Sequence, residues 1–195
     1  GRGRIAAATL MAEHVSVEGG GSGPAIGPRL RLTGAEPSHG RIGLPLVIEG
    51  EARFGSFRYQ RARLSGTLER RPDRSLDSDD GLWLGAIADV ALARGDAPPD
   101  ALPALGDERL IPGMRGGEAR GRTRVVVGVD ASYPAFLEAL LFVRLRGGAI
   151  TDRFRQLDDT SRWVSGAETG LAWSTPFGAV QLALGLNTNG GRRLD

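Results

Sequence analysis

The sequence predicts an all-β protein, an antiparallel transmembrane β-barrel with about eight or nine strands in 195 residues. Apolar and polar residues alternate with a period of two over most of the chain, which is the period of a strand and not of a helix. Many alternating segments reach about 9 to 11 residues, the length that a tilted strand needs to cross a bilayer. Gly and Pro recur between them, with 30 and 11 residues, and mark turns.

Nine segments are predicted as strands, and the clearest covers residues 123–133. There Val125, Val127 and Val129 share one face, while Arg124 and Asp130 share the other. The same separation of an apolar from a polar face recurs along the chain. In chain order the predicted strands lie within residues 5–17 and at 26–34, 44–54, 57–69, 81–93, 123–133, 140–149, 168–176 and 179–188.

Two architectures fit strands with one apolar and one polar face. A soluble β-sandwich buries its apolar faces against each other, whereas a transmembrane barrel turns them toward lipid and encloses a polar lumen. Segment length and the repeated Arg on the polar faces favour the barrel. Aromatic residues near predicted strand ends are candidates for its interfacial girdles, although core or turn positions explain them equally well: Tyr59, Tyr133, Trp163, Trp173 and Phe177.

Charged residues of both signs occupy the predicted polar, lumen-facing side of the strands. Opposite charges that lie across a strand pair attract each other, so we expect cross-strand ion pairs that hold the barrel rigid. A selective path for anions is the alternative interpretation. The predicted lumen charges are Arg53, Arg61, Arg63, Arg124, Arg144, Arg146, Glu49, Glu51 and Asp89, with Arg29 and Arg31 on an earlier strand.

Composition argues against several function classes. The 25 basic residues are all Arg and face 23 acidic ones, so a net charge of +2 does not predict nucleic-acid binding. With no Cys and only His14 and His39, catalytic triads, metal sites and cofactors are not expected. Residues 20–24 approach a nucleophile elbow but lack its last Gly and its strand-to-helix setting. We therefore expect a protein that is not an enzyme.

The whole chain, residues 1–195, is predicted as one domain with a long loop at residues 94–122. That loop ends in the sequence Met114-Arg115-Gly116-Gly117. After it come Asp130 in a strand and then a hairpin of the form Gly-x-x-x-Gly-Leu-x-x-x-Thr-Pro-x-Gly. Its matching positions are Gly166, Gly170, Leu171, Thr175, Pro176 and Gly178.

These motifs, in this order, resemble the bacterial surface antigen superfamily of outer-membrane barrels, which includes BamA and TamA and the barrels attached to patatin-like phospholipases. In that family the long loop folds into the lumen and carries a hydrophobic residue, Arg, Gly and an aromatic. Gly117 stands at the aromatic position, so the match is imperfect. The resemblance implies that Arg115 lies in the lumen and pairs with a carboxylate, for which Asp130 is the first candidate and Glu168 the second.

The resemblance also implies a bacterial outer-membrane location, lipid as a partner, and a role in assembling or translocating outer-membrane or secreted polypeptides, or in anchoring a fused patatin-like domain. The family's barrel has about sixteen strands, whereas about nine are predicted here. An open sheet edge is not tolerated in hydrocarbon. Closure then requires strands beyond this chain, a small self-closed barrel, or a homodimer of half-barrels.

Overall fold

The computed structural model describes residues 5–16, 22–33, 42–43, 46–55, 58–70, 82–106, 110–135, 139–175, 178–190 and 192–194. These residues form eleven strands and three short 3-10 helices, at Pro99–Ala101, Phe154–Asp158 and Thr160–Arg162. No helix in this part of the chain is long and apolar enough to span a membrane. The strands are β1 (Ile5–Ser16), β2 (Ser22–Thr33), β3 (Ile42–Gly43), β4 (Leu46–Gly55), β5 (Tyr59–Arg70), β6 (Trp83–Gly95), β7 (Thr123–Pro134), β8 (Leu140–Thr151), β9 (Trp163–Thr175), β10 (Gly178–Asn187) and β11 (Arg192–Leu194).

All eleven strands belong to one antiparallel sheet, in which each long strand pairs with its neighbours in sequence. The order is β1-β2-β4-β5-β6-β7-β8-β9-β10-β11, and the two-residue β3 pairs with β5. The all-β, antiparallel prediction is therefore confirmed. Over the described residues the sheet runs from β1 to β11 and is not closed.

The two faces of the sheet differ in chemistry. One, the apolar face, carries large aliphatic and aromatic side chains that are between 41% and 54% exposed. Among the described side chains of β4 to β10, only Arg94 brings a charge to this face. The exposed residues on it are Leu30, Ile48, Phe54, Leu64, Leu68, Leu84, Val127, Val129, Tyr133, Leu141, Val143, Leu145, Val180, Leu182, Leu184 and Leu186.

The connection from β6 to β7, described at residues 96–106 and 110–122, covers part of the other, polar face. Leu105, Leu110, Ile111 and Met114 of this loop are at most 3% exposed and form a small core with Val126 and Val164 of the sheet. The predicted loop at 94–122 thus connects two strands but is folded and not extended into solvent. Its apolar side chains form the described hydrophobic cluster, on the face that also carries the charges.

The sequence located seven of its nine predicted strands to within two residues, but it did not predict the short β3 and β11, and it placed the starts of β2 and β9 too late. The larger error concerns β9. It was predicted to start at residue 168 but begins at Trp163. Gly166 and Ala167 weaken the strand signal, and the backbone is extended here because it pairs with β8 and β10 on both sides. Strand β2 likewise starts at Ser22 and not at residue 26. Its first residues were not predicted as strand because Gly23 and Pro24 have low strand preference.

Candidate functional site

The charged residues of the polar face form connected ion pairs between neighbouring strands. On β4 and β5, Glu51 lies directly opposite Arg61 in the register, and their side chains are 3.1 Å apart. Tyr59 donates its hydroxyl to Glu51 at 2.9 Å, and Arg53 approaches the same carboxylate at 3.5 Å. Among the described side chains Glu51 therefore has three partners. Tyr59 is 4% exposed on this face, so the alternative that placed it in an interfacial girdle is wrong.

Asp89 on β6 is the most deeply buried carboxylate of the network, with 0% exposure. It accepts from Arg63 of β5 at 2.6 Å and from Arg124 of β7 at 3.0 and 2.7 Å. Arg63 also reaches Glu49 at 4.0 Å, while Arg124 donates to the backbone carbonyl of Ala104 in the loop at 2.8 Å. One carboxylate thus connects three strands and, through Arg124, the loop above them.

A second group of charges lies on β7, β8 and β9. Arg146 makes a two-bonded contact with Asp130, at 3.2 and 2.6 Å. Arg144 lies opposite Glu168 in the register and donates to it at 2.7 Å. The Arg144 guanidinium also stacks over the Phe142 ring, 4.5 Å from its centroid. Charge-assisted bonds of this kind are stronger than neutral ones and fix geometry.

The candidate partners predicted for Arg115 are engaged by other arginines. Asp130 pairs with Arg146 and Glu168 with Arg144, whereas the Arg115 side chain is exposed. The predicted pairing of Arg115 with Asp130 or Glu168 is therefore not the arrangement found. Each carboxylate is instead bonded by an arginine from an adjacent strand, at 2.6 Å for Asp130 and 2.7 Å for Glu168.

The loop motif Met114-Arg115-Gly116-Gly117 forms a turn at the surface of the folded loop. Met114 points into the small core and is 1% exposed. The backbone N–H of Arg115 donates to the Glu118 carboxylate at 2.9 Å, and the Glu118 N–H donates back to the Arg115 carbonyl at 3.1 Å. Gly117 has a φ of +74°, which favours glycine. Met114 thus packs the loop against the sheet, and Arg115, Gly116 and Gly117 form the turn at which the chain reverses direction.

Three glycines on adjacent strands create the surface on which the loop rests. A Cβ at Gly166 of β9 would lie 2.6 Å from the Pro112 carbonyl oxygen, and one at Gly185 of β10 would lie 2.8 Å from the Gly113 nitrogen. At Gly148 of β8 it would lie 3.0 Å from Leu105. Glycine in a strand often marks close approach of another backbone. At Gly166 and Gly185 that backbone is the loop, whereas at Gly148 the nearest backbone atom, the Val125 carbonyl oxygen at 2.8 Å, belongs to β7.

The predicted hairpin motif occupies the turn between β9 and β10. Thr175 ends β9 and pairs with Gly178, the first residue of β10. Gly170 faces the partner strand closely, since a Cβ there would collide with the Leu182 carbonyl oxygen. Pro176 and Phe177 lie outside the described residues. Where the structure describes it, the motif has the role of a tight hairpin.

A cavity of about 260 Å³ opens on the polar face beside the second group of charges. Its lining includes Trp83, Asp130, Phe142, Arg144 and Gln181. Gln181 also contacts Glu168, at 3.4 Å. This lining offers hydrogen-bond donors and acceptors, and charges of both signs, to water or to a polar polypeptide. In the part of the chain that is described, no group of three or more His, Asp or Glu side chains is placed to hold a metal ion.

Sequence reasoning found the charges but missed the glycine surface, the role of Tyr59 and the bond to the Ala104 carbonyl. Gly148 and Gly185 had a readable signal, because both fall at polar-face positions of predicted strands, whereas Gly166 precedes the predicted start of β9. A backbone carbonyl as an arginine partner has no sequence signal, since every residue carries one.

Comparison with known proteins gives no match: no protein-family model matches the chain, and no characterised protein is significantly similar to it. The fold and the chemistry of its two faces are therefore what supports a function.

Proposed function

We propose that this chain forms the wall of a bacterial outer-membrane β-barrel that assembles or translocates other polypeptides, or anchors a fused passenger domain. The apolar face contacts lipid in this proposal, and the polar face lines the lumen. The observation that carries it is the inverted distribution of side chains. Large aliphatic residues are exposed on one face while the charges are paired and partly buried on the other.

A soluble sheet exposes its polar face and buries its apolar one. Here Leu145, Val129 and Leu182 are each more than half exposed in the middle of their strands. Soluble monomers rarely expose contiguous apolar patches beyond a few hundred square ångströms. Among the described side chains, the exposed apolar residues of this sheet extend from β4 to β10, and the one charge on their face, Arg94, lies at its end. Such a surface is suited to lipid.

The height of the apolar face supports the same proposal. The outward positions from Leu82, just before β6, to Leu92 span ten residues, or about 33 Å along the strand. A tilt of about 40° reduces this to about 25 Å along the membrane normal, the height of the apolar band of outer-membrane barrels. Arg94 follows immediately, where the band ends.

The loop on the polar face supports a function inside the lumen. It crosses from β7 to β10 and is tied to the charge network through Arg124. A loop that is docked by a small core and one buried arginine partly fills the lumen and can be displaced without unpairing the sheet. Displacement would open the path that a polypeptide needs.

Closure of the barrel needs strands in addition to the described ones. Strands β1 and β11 end the sheet, and unpaired backbone groups cost several kcal/mol each in hydrocarbon. Either further strands or a second copy of the chain complete the barrel. The mass of the particle in detergent, measured by light scattering, distinguishes a monomer from a homodimer.

Solubility tests the membrane location first. The protein is expected to need detergent and to enter phosphatidylcholine vesicles, so that it floats with them in a density gradient. A monodisperse protein in buffer without detergent would instead support the alternative, a soluble β-sandwich binding module without catalytic activity.

Two adjacent substitutions on β10 sharpen the test. Leu182→Arg places a charge on the apolar face, where Arg at the bilayer midplane costs about 2 to 4 kcal/mol; Gln181→Arg places it on the polar face beside Glu168. Vesicle insertion should fall for Leu182→Arg and stay unchanged for Gln181→Arg. If the protein is soluble, Leu182→Arg at a position 53% exposed should have little effect or improve solubility.

The assembly role has its own assay. Vesicles that contain the protein should fold an unrelated, urea-unfolded outer-membrane barrel faster than vesicles without it. Equal rates, with insertion of this protein intact, would leave the anchoring role and remove the assembly role.

A further inference from the structure

A cavity of about 390 Å³ lies where the loop between β6 and β7 meets the segment after β8. It is formed by the end of β6, the start of β7 and residues 152–154. Three arginines line it, and all three are exposed: Arg94, Arg122 and Arg153. The site is at one end of the sheet, and no charged side chain of the polar-face network lines it.

The charge of this cavity is not balanced. Asp152 is the one carboxylate in its lining, and none of the three arginines has an ion pair among the described residues. Arg122 donates one bond, from Nη1 to the Gly95 carbonyl at 2.7 Å. On the polar face, by contrast, Arg61, Arg63, Arg124, Arg144 and Arg146 each pair with a carboxylate. Three arginines against one aspartate leave an excess of two positive charges.

The backbone around the cavity is held in place. The Ala93 N–H donates to the Arg122 carbonyl at 2.7 Å, which joins the end of β6 to the residue before β7. On the other side, Thr151 donates its hydroxyl to the Arg153 carbonyl at 2.9 Å. These bonds hold the backbone of Arg122 and Arg153, and the Arg122 guanidinium is itself held by the Gly95 carbonyl. Donors that are positioned in advance lose less entropy when they bind an anion.

The cavity coincides with the end of the apolar face. Leu92 and Arg94 are successive outward positions on β6, so the change from aliphatic to charged occurs within one pleat. Phe154 is 66% exposed beside the arginines. Trp163, half-buried nearby, donates its indole N–H to the Leu157 carbonyl at 2.9 Å. Aromatic residues next to arginine are typical of the depth where acyl chains meet headgroups.

We propose that this cavity binds the phosphate of an anionic lipid headgroup, an inference that rests on the proposed membrane location. Arg94, Arg122 and Arg153 donate to the phosphate oxygens, which guanidinium groups match in geometry, and Phe154 contacts the acyl chains. A lipid is favoured over a free anion because the cavity adjoins the apolar face and an exposed phenylalanine, which a free anion would leave unused.

The test compares two double variants that remove the same charge. Arg94→Gln/Arg153→Gln alters the cavity, whereas the control Arg115→Gln/Arg155→Gln removes two exposed arginines that do not line it. Each protein is first inserted into phosphatidylcholine vesicles, then extracted into zwitterionic detergent and titrated with phosphatidic acid by calorimetry. The control is expected to bind like the wild type, and the cavity variant about tenfold more weakly, which corresponds to about 1.4 kcal/mol.

Equal binding by both variants would overturn the lipid site and leave the barrel proposal intact. Inorganic phosphate that binds as tightly as phosphatidic acid would show a free-anion site and overturn the lipid as ligand. Failure of the wild type to enter phosphatidylcholine vesicles would overturn the membrane location itself, and the lipid site with it, before any phosphate is added.

Discussion

Adding a single methyl group at Gly166 should release the loop from the polar face. The Cβ of Gly166→Ala would lie 2.6 Å from the Pro112 carbonyl oxygen and 3.1 Å from Ile111 Cγ2. Strand β9 is paired on both sides, so the loop is the part that moves. Gly166 does not have a positive φ, hence the substitution introduces crowding without backbone strain.

The expected cost follows from the crowding. Forcing one extra carbon into a packed contact costs about 1 to 3 kcal/mol. Here that cost makes docking of the loop on the sheet less favourable. At about 2 kcal/mol the undocked population rises roughly 30-fold. Cleavage of an opened segment follows that population when closing is fast. Trypsin should therefore cut after the exposed Arg115 about 30-fold faster in Gly166→Ala than in the wild type.

The control is Gly50→Ala on β4, because a Cβ there has no atom within 4 Å. Mass spectrometry identifies the cut after Arg115, and circular dichroism reports whether the sheet remains folded. Equal cleavage rates in the two variants would refute the docking of the loop on Gly166. Loss of the β-sheet signal in Gly166→Ala, but not in Gly50→Ala, would refute the claim that the loop can undock while the sheet stays folded.

Three other substitutions test the charges. Asp89→Asn leaves Arg63 and Arg124 facing a neutral group and should lower the free energy of unfolding by about 3 to 5 kcal/mol. Asp130→Asn, at a side chain 31% exposed, should lower it by about 1 kcal/mol. Urea unfolding midpoints in detergent that rank the two variants in the opposite order would contradict the deeper burial of Asp89. Tyr59→Phe removes the 2.9 Å bond to Glu51 and should cost about 1 to 2 kcal/mol in the same assay, with a zero change counting against the bond. Hydrogen bonds from the Ser161 hydroxyl and N–H, and then Arg162, hold the pKa of Asp159 below its ordinary value of 3.8. The ionised Asp159 therefore stabilises the fold fully above pH 3.8, and this stabilisation is lost as the pH falls through the lower pKa of the folded state. A carbon NMR titration should show the pKa of Asp159 rise toward 3.8 in Ser161→Ala.

The strands were predictable because their signal is local. In β7, Val125, Val127 and Val129 alternate with Arg124 and Asp130, and a period of two assigns each to a face whatever the rest of the chain does. The same alternation assigned the charges to the polar face. The start of β9 was missed for the converse reason, because Gly166 and Ala167 have no strand preference of their own and are extended by their neighbours.

Which charge pairs with which was decided by register and diagonal reach, and these are properties of the assembled sheet. Asp130 lies opposite Arg144 in the register but bonds Arg146, while Arg144 pairs with Glu168 on the other side. No spacing along one strand distinguishes these choices. The expected partner of Arg115 was wrong on that account.

The order of residues thus determined the chemistry of the two faces, since successive side chains in a strand point to opposite faces of the sheet. The position of the loop was not determined in this way, because it depends on Gly166 and Gly185, which come within two register positions of each other only after β9 and β10 have paired. Long-range contact between the loop and that surface exists only in the folded sheet, where the missing side chains leave room for a second backbone.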